Sequence, residues 1–195
     1  MSKILIFGAT GGIGKEVIDI LEEQYSHDVV GYSRDDLDFQ NTRERECVSN
    51  ELDVHMPDYI INCSGLLGEN DWSYEEVYNV NVGSNWEIIK YCINNPEKRM
   101  NVMMIGSSAY AGGRKNYMLY SSSKAALHNL WEGASENLES TRTNLGIFHF
   151  GPVMTDMIPD TLRKENKKYL DARTVAENIV QATLAMDMSR IYKIL

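Results

Sequence analysis

Seven residues near the start of the chain, Gly8-Ala9-Thr10-Gly11-Gly12-Ile13-Gly14, constrain the fold more than any other stretch. They follow a short apolar run, Lys3-Ile4-Leu5-Ile6-Phe7, and open a helical stripe of Ile13, Val17, Ile18 and Leu21 over residues 12–25. A glycine-rich turn between a strand and a helix has a specific use. Glycines let the backbone turn tightly, and the free N–H groups and dipole of the helix N-terminus favour a pyrophosphate. The spacing is G-x-x-x-G-x-G rather than G-x-G-x-x-G, and the absence of a following Gly-Lys-Ser/Thr argues against a P-loop.

Downstream, the pattern alternates. Residues 28–33 read as a second strand, and the acidic stretch Asp35-Asp36-Leu37-Asp38-Phe39-Gln40-Asn41 leaves room for a very short third one. Residues 42–53 are expected to form a helix with little apolar face. Residues 58–62 read as a strand introduced by Pro57. Ser73-x-x-Glu76 is a capping box that starts a helix, and Asn95-Pro96 stops it near Asn94. A buried strand at 101–106, a long helix at 117–139, a strand at 145–150, a helix at about 174–186 and a last strand at 190–194 complete the series. Apolar strands alternating with helices imply an α/β fold: a doubly wound parallel sheet of Rossmann type, with helices on both faces. No linker or low-complexity tract divides the chain, so residues 1–195 are expected to form a single domain. Such sheets bind ligands outside the carboxyl ends of their strands.

A second motif is Tyr120-Ser121-Ser122-Ser123-Lys124. On a helix, residues i and i+4 share a face, so a lysine cation stands one turn from a phenol. That cation is expected to lower the phenol pKa from its reference near 10 toward a useful range for acid–base work. Ser107 closes the strand at 101–106, thirteen residues before Tyr120. A hydroxyl there can hydrogen-bond a substrate carbonyl beside the phenol, and Ser108 is an alternative for the role.

Taken together, these motifs resemble the short-chain dehydrogenase/reductase family. Further likenesses are Asn62-Cys63-Ser64-Gly65, Asn81-Val82-Gly83, and Phe150-Gly151 followed by Pro152-Val153-Met154-Thr155-Asp156-Met157. Phe7 stands where the family has threonine before the first glycine. The resemblance covers residues 3 to about 157, and it implies roles for individual residues. Tyr120 would be the acid in carbonyl reduction and the base in the reverse direction. Lys124 would lower the tyrosine pKa and hold the nicotinamide ribose, and Ser107 would stabilise the oxyanion. Asn81, in a helix kink, would hold a water linking Lys124 to solvent. The cofactor side would comprise Gly8, Thr10, Gly11, Gly12, Ile13 and Gly14, with Asn62 and Gly65 along the adenine-ribose side, Cys63 and Ser64 between them, and Gly151, Val153 and Thr155, of which Thr155 would touch the nicotinamide amide or a phosphate. Cys63 also reads as a small buried filler.

Cofactor choice turns on Ser33-Arg34 at the end of the second strand. A hydroxyl and a guanidinium suit a 2′-phosphate, so NADP(H) is expected over NAD(H), which stays possible. Asp35 and Asp36 weaken that case if one turns inward. Asp38 resembles the family's adenine-contacting aspartate. The net charge of −9 disfavours non-specific nucleic acid or anionic membranes as partners, and no apolar run reaches membrane-span length. Cys47, Cys63 and Cys92 fit neither a disulfide framework nor a zinc site, and the four histidines show no metal spacing. A reduced, cytoplasmic protein without a metal is expected.

The function expected is hydride transfer between NADP(H) and a small carbonyl or alcohol, by a homodimer or homotetramer paired through the helices at 73–94 and 117–139. Two other readings compete. One is a non-catalytic NADP-binding regulator or scaffold. The other is a nucleotide-sugar reductase or epimerase, suggested by the compact span from the second strand to Asn62-Cys63-Ser64-Gly65. The polar segment 157–170 stands where relatives build a substrate lid, and the substrate is not readable from it.

Overall fold

The computed structural model describes residues 1–68, 73–160, 163 and 168–194. Strand β1 (Lys3–Phe7) is buried from Ile4 onward because it is covered on both faces. It pairs in parallel with β2 (Asp28–Tyr32) on one side and β3 (Tyr59–Asn62) on the other. Strands β4 (Met100–Ile105), β5 (Thr143–Phe150) and β6 (Arg190–Ile194) continue beyond β3, giving a six-stranded parallel sheet in the order β2-β1-β3-β4-β5-β6. The chain leaves β1 toward one edge and returns past it toward the other. This reversal opens a crevice at the carboxyl ends of β1 and β3.

Each face of the sheet has its own core. On one, α1 (Gly12–Gln24) and α7 (Ala172–Leu184) bring Val17, Ile20, Leu21, Val175 and Ile179 against Ile4, Ile6, Ile61 and Met103. On the other, Leu5, Phe7, Ile60, Val102 and Met104 meet α3 (Val48–His55), α5 (Ser84–Asn94) and α6 (Met118–Asn137). The expected α/β architecture is the observed one.

Two local expectations need correction. No third strand forms between β2 and β3 among the described residues; the short helices α2 (Thr42–Glu46) and α3 occupy the span. Local side chains capture the backbone there. Asp36 accepts from the Ser33 amide, Asp38 from the Gln40 amide and Asn41 from the Arg43 amide, so turns outcompete sheet pairing. The helix expected over 42–53 breaks at Cys47, and only its second half buries apolar side chains, Val48 and Leu52.

Ser73 caps α4 (Tyr74–Tyr78) with both halves of the capping box made. The helix then widens into a π turn at Asn79–Gly83 before continuing as α5. No helix among the described residues is long and apolar enough to cross a membrane.

Candidate active site

The crevice is a cleft of about 890 Å³, at the upper end of the usual range for small-molecule sites. The glycine turn forms its floor. Gly8 has φ +74°, and a Cβ there would stand 2.7 Å from the Ser64 amide nitrogen. At Gly12 a Cβ would press on the Thr155 side chain at 2.7 Å, and at Gly14 it would run into the Gly8 carbonyl. The N-terminus of α1 has no side-chain cap and no acidic residue in its first turn. Its free N–H groups and dipole fit a pyrophosphate.

Thr10, Gly11, Gly12, Ile13, Cys63, Ser64, Gly65, Gly151, Val153 and Thr155 line this cleft, as do Ser33, Arg34 and Asp38 at the end of β2. Ser33 donates to Asp36 at 2.6 Å from its hydroxyl and 2.8 Å from its amide. Arg34 contacts Asp38 at 3.4 Å and Gln40 at 3.1 Å. Asp36 is thus tied to Ser33 but stays exposed, and Asp38 is the aspartate of this stretch that lines the cleft. Cys63 borders the cleft, but burial pushes its thiol up to about 12, which leaves it unreactive at neutral pH.

The reacting end comprises Ser107, Ser108 and Tyr120. Ser107 leaves β4 as the N-cap of a short 3₁₀ turn, Ser108–Ala111, and its Oγ accepts from the Ala109 amide at 3.1 Å. Its hydroxyl also hydrogen-bonds the Tyr120 phenol. Lys124 Nζ lies 5.6 Å from the Tyr120 ring centre.

Four expected site residues stand behind the cleft wall rather than on it. Lys124 is 2% exposed, and its Nζ donates to the Ile105 carbonyl at 2.7 Å. Burial lowers its pKa to about 8. Asn62 donates to Ser84 and Asn85 at 2.9 and 3.0 Å and accepts from the Ser64 amide at 3.1 Å, so its side chain pins β3 to α5 and to the Cys63–Ser64 turn. Gly14 packs on Gly8. Asn81 clamps Leu66, accepting from its amide at 2.8 Å and donating to its carbonyl at 2.9 Å, and it also donates to Ser123 at 2.9 Å. That amide is fully committed and is no surface residue.

The expected effect of Lys124 on Tyr120 is also corrected. Burial raises the phenol pKa; the Ser107 hydrogen bond opposes this and Tyr117 adds to it. The lysine ammonium is bound to a carbonyl and itself desolvated, so it does not set the direction.

Several cleft residues escaped the sequence reading. Arg114, Lys115, Asn116 and Tyr117 line the cleft just before α6, and Tyr169 lines it as well. Gly112-Gly113-Arg114-Lys115, placed between a strand end and Tyr120, is the signal that could have found this stretch. Among the described residues, neither Arg114 nor Lys115 side chain makes an ion pair.

A parallel sheet reversing at a glycine turn, with Ser107, Tyr120 and Lys124 beside the same crevice, defines a Rossmann-fold protein of the short-chain dehydrogenase/reductase type. More narrowly, the chain belongs to the NAD dependent epimerase/dehydratase family, whose model matches residues 4–181. A curated relative, the bifunctional ribulose 5-phosphate reductase/CDP-ribitol pyrophosphorylase Bcs1 of Haemophilus influenzae, is 28% identical over 184 residues. The match takes in 89% of this chain and 39% of that protein, so the chain spans well under half of its relative's length. Among solved structures, the 3-alpha-hydroxysteroid dehydrogenase of Pseudomonas sp. B-0831 complexed with NADH superposes with a TM-score of 0.85 at 17% identity, covering 99% of this chain and 95% of the other. A short chain dehydrogenase from Burkholderia cenocepacia J2315 in complex with NADP gives 0.79 at 16% identity, covering 100% and 88%. These likenesses establish the fold.

Proposed function

We propose that this chain is an NADP(H)-dependent reductase of a small phosphorylated keto-sugar, with Tyr120 as the proton donor. The carrying observation is the shared cleft: an uncapped helix N-terminus over a glycine floor at one end, and the hydroxyls of buried Ser107 and half-buried Tyr120 at the other.

When bound, the nicotinamide supplies the hydride in reduction and takes it up in the reverse direction. The chain's own residues handle the proton. Ser107 Oγ donates to the carbonyl oxygen and steadies the negative charge that builds there. Tyr120, kept protonated by burial, passes its proton to that same oxygen. Lys124 holds the Ile105 carbonyl and fixes the strand end that carries Ser107.

The phosphate half of the reading is supported by Arg114 and Lys115, two cations lining the cleft of an otherwise acidic protein of net charge −9. The relative's ribulose 5-phosphate reductase activity points to the same chemistry. NADP(H) is preferred because Arg34 stands at the cleft edge where β2 ends. Calorimetry should show NADP binding about ten- to a hundred-fold tighter than NAD, the worth of a charged hydrogen bond, with Arg34→Asp erasing the difference. Oxidation of NADPH by purified protein with ribulose 5-phosphate tests the substrate. No turnover of phosphorylated keto-sugars, with turnover of neutral carbonyls, would reject the phosphate half. We also read the outer faces of α4–α5 and α6 as a self-association surface.

A further inference from the structure

Ser107 has a second set of partners that the reductase reading leaves unused. His149, buried on β5, places Nδ1 3.1 Å from both the amide nitrogen and the carbonyl oxygen of Ser107. Its Nε2 lies 3.1 Å from Nδ1 of His128 on α6. The other ring nitrogen of His128 faces the carboxylate of Glu132 at 3.6 Å, and Glu132 is exposed. The Tyr110 ring covers both imidazoles, 4.1 Å from His149 and 4.3 Å from His128 between ring centres. Gly106 leaves the space: a Cβ there would collide with the His149 ring.

At the Ser107 end a bare Nδ1 accepts from the Ser107 N–H and a protonated Nδ1 donates to the Ser107 carbonyl, each at 3.1 Å, so the choice falls to the other end of the row and to the Ser107 N–H, for which a bare His149 Nδ1 is the acceptor at hand. A neutral imidazole with a bare Nδ1 carries its proton on Nε2. That N–H donates to His128 Nδ1, so His128 carries its own proton on Nε2, toward the Glu132 carboxylate. The opposite arrangement would let Nδ1 donate to the Ser107 carbonyl but take the His149 acceptor from the Ser107 N–H, and it would set a lone pair of His128 against the carboxylate.

We propose that His149 is a positioning residue for Ser107, and that His128 and Glu132 hold it in the one tautomer that performs this task. The proposal rests on the assignment of Ser107 to the reacting site. One additional proton on the pair must settle on His149 Nδ1, because the shared position and His128 Nε2 are already filled. The new N–H opposes the Ser107 amide and turns to the Ser107 carbonyl, which already accepts from the Tyr110 amide at 3.1 Å. The turn holding Ser107 Oγ against Tyr120 loosens with it.

The charges around the pair bear on that proton. Glu132 favours it. Lys124, and Lys193, whose ammonium bonds the Tyr110 hydroxyl at 2.8 Å, oppose it. Burial first, and then the His128 charge, lower His149 to about 4. The accepting tautomer therefore persists at neutral pH and fails in acid.

Nitrogen-resolved NMR of the imidazoles tests this without a substrate. At neutral pH both rings should be bare at Nδ1 and protonated at Nε2. On acidification, the Ser107 amide signal should move together with the His149 transition. His149→Asn keeps an acceptor near the Nδ1 position and should hold the Ser107 amide signal. His149→Phe keeps a ring under Tyr110 without an acceptor. It should move that signal and lower kcat at least about tenfold, with NADPH affinity changed less than about twofold. A proton on His149 Nδ1 at neutral pH, or a Ser107 amide unmoved in folded His149→Phe, overturns the proposal. A wild-type protein that reduces no carbonyl overturns the reductase reading instead, and the NMR result still decides the positioning.

Discussion

Lys124 and Tyr120 were chosen from the sequence as a couple, and the structure separates their contributions. The lysine titrates at about 8 when folded and at 10.5 when free, because burial disfavours its charge. Between those values the unfolded chain binds more protons, so this residue makes stability rise with pH across that window. Full neutralisation is worth on the order of 3 kcal/mol. Cys63 and Tyr120 act in the opposite sense: burial raises both, so their contributions are lost as pH climbs past their ordinary values. Lys124→Met removes the first effect, leaves the burial of Tyr120 and Cys63 in place, and takes from Cys63 the charge that opposes its upward shift. Urea unfolding of both proteins from pH 8 to 10.5 should show the wild type gaining up to about 3 kcal/mol on the variant; a constant difference would mean the ammonium is solvated. For Tyr120, an upward shift keeps the phenol protonated, which suits a donor. Reduction should stay level through neutral pH and fall only above the ordinary tyrosine value, while oxidation should rise with pH. Tyr120→Phe should cost about 10²–10⁴-fold in turnover and leave NADPH affinity within a few fold. Turnover near wild type would remove Tyr120 from the chemistry.

Among the elements, the ones readable in the sequence carry their cause locally. The glycine turn, the capping box at Ser73 and the stop at Asn95-Pro96 each depend on neighbours a few residues away, and each is found where expected. The π turn at Asn79–Gly83 was readable only through resemblance, as a kink. Its cause is Asn81 gripping the Leu66 backbone and Ser123, partners 15 and 42 residues away. The missing strand after β2 belongs with it, since the contest between Asp36, Asp38 and a sheet edge is not written in hydrophobic pattern. Asn81→Ala should cost about 1–3 kcal/mol in denaturant unfolding, because it leaves the half-buried Leu66 amide and carbonyl and the buried Ser123 hydroxyl without this partner. Glycines give a sharper contrast between elements. In α6, a Cβ at Gly133 would meet nothing within 4 Å, so Gly133→Ala should stabilise the helix by about 0.5–1 kcal/mol. In α1, a Cβ at Gly14 meets the Gly8 carbonyl, so Gly14→Ala should distort the turn and abolish calorimetric binding of NADP. Equal behaviour of the two variants would show that the turn tolerates side chains and does not shape the cofactor floor.

At the scale of the whole molecule, sheet order follows from the alternation of elements, whereas the substrate side does not. Arg114 and Lys115 line the same cleft as Tyr169 from a segment far away in the chain, and no periodicity links them. The outer helix faces are intermediate, because the sequence shows two apolar stripes but not which one the sheet takes. The structure assigns Ile89 and Leu127 to the core. It leaves Tyr74 and Trp86 at 58% and 44% exposure, with Val82, Ile93, Ala126 and Leu130 half-buried beside them. Large aromatic side chains left open among half-buried aliphatics are what the centre of a protein interface requires. A pairing of standard size removes about 800 Å² per partner. Light scattering at micromolar concentration should therefore give twice or four times the 22.2 kDa chain mass. Trp86→Glu places a charge at the centre of the pairing and touches none of the cleft. A central aromatic is worth about 2–4 kcal/mol, so the dissociation constant should rise about 30- to 1000-fold, and the variant should run as a monomer that still binds NADP. A wild-type monomer at that concentration, or a Trp86→Glu dimer as tight as wild type, would place the pairing elsewhere or remove it.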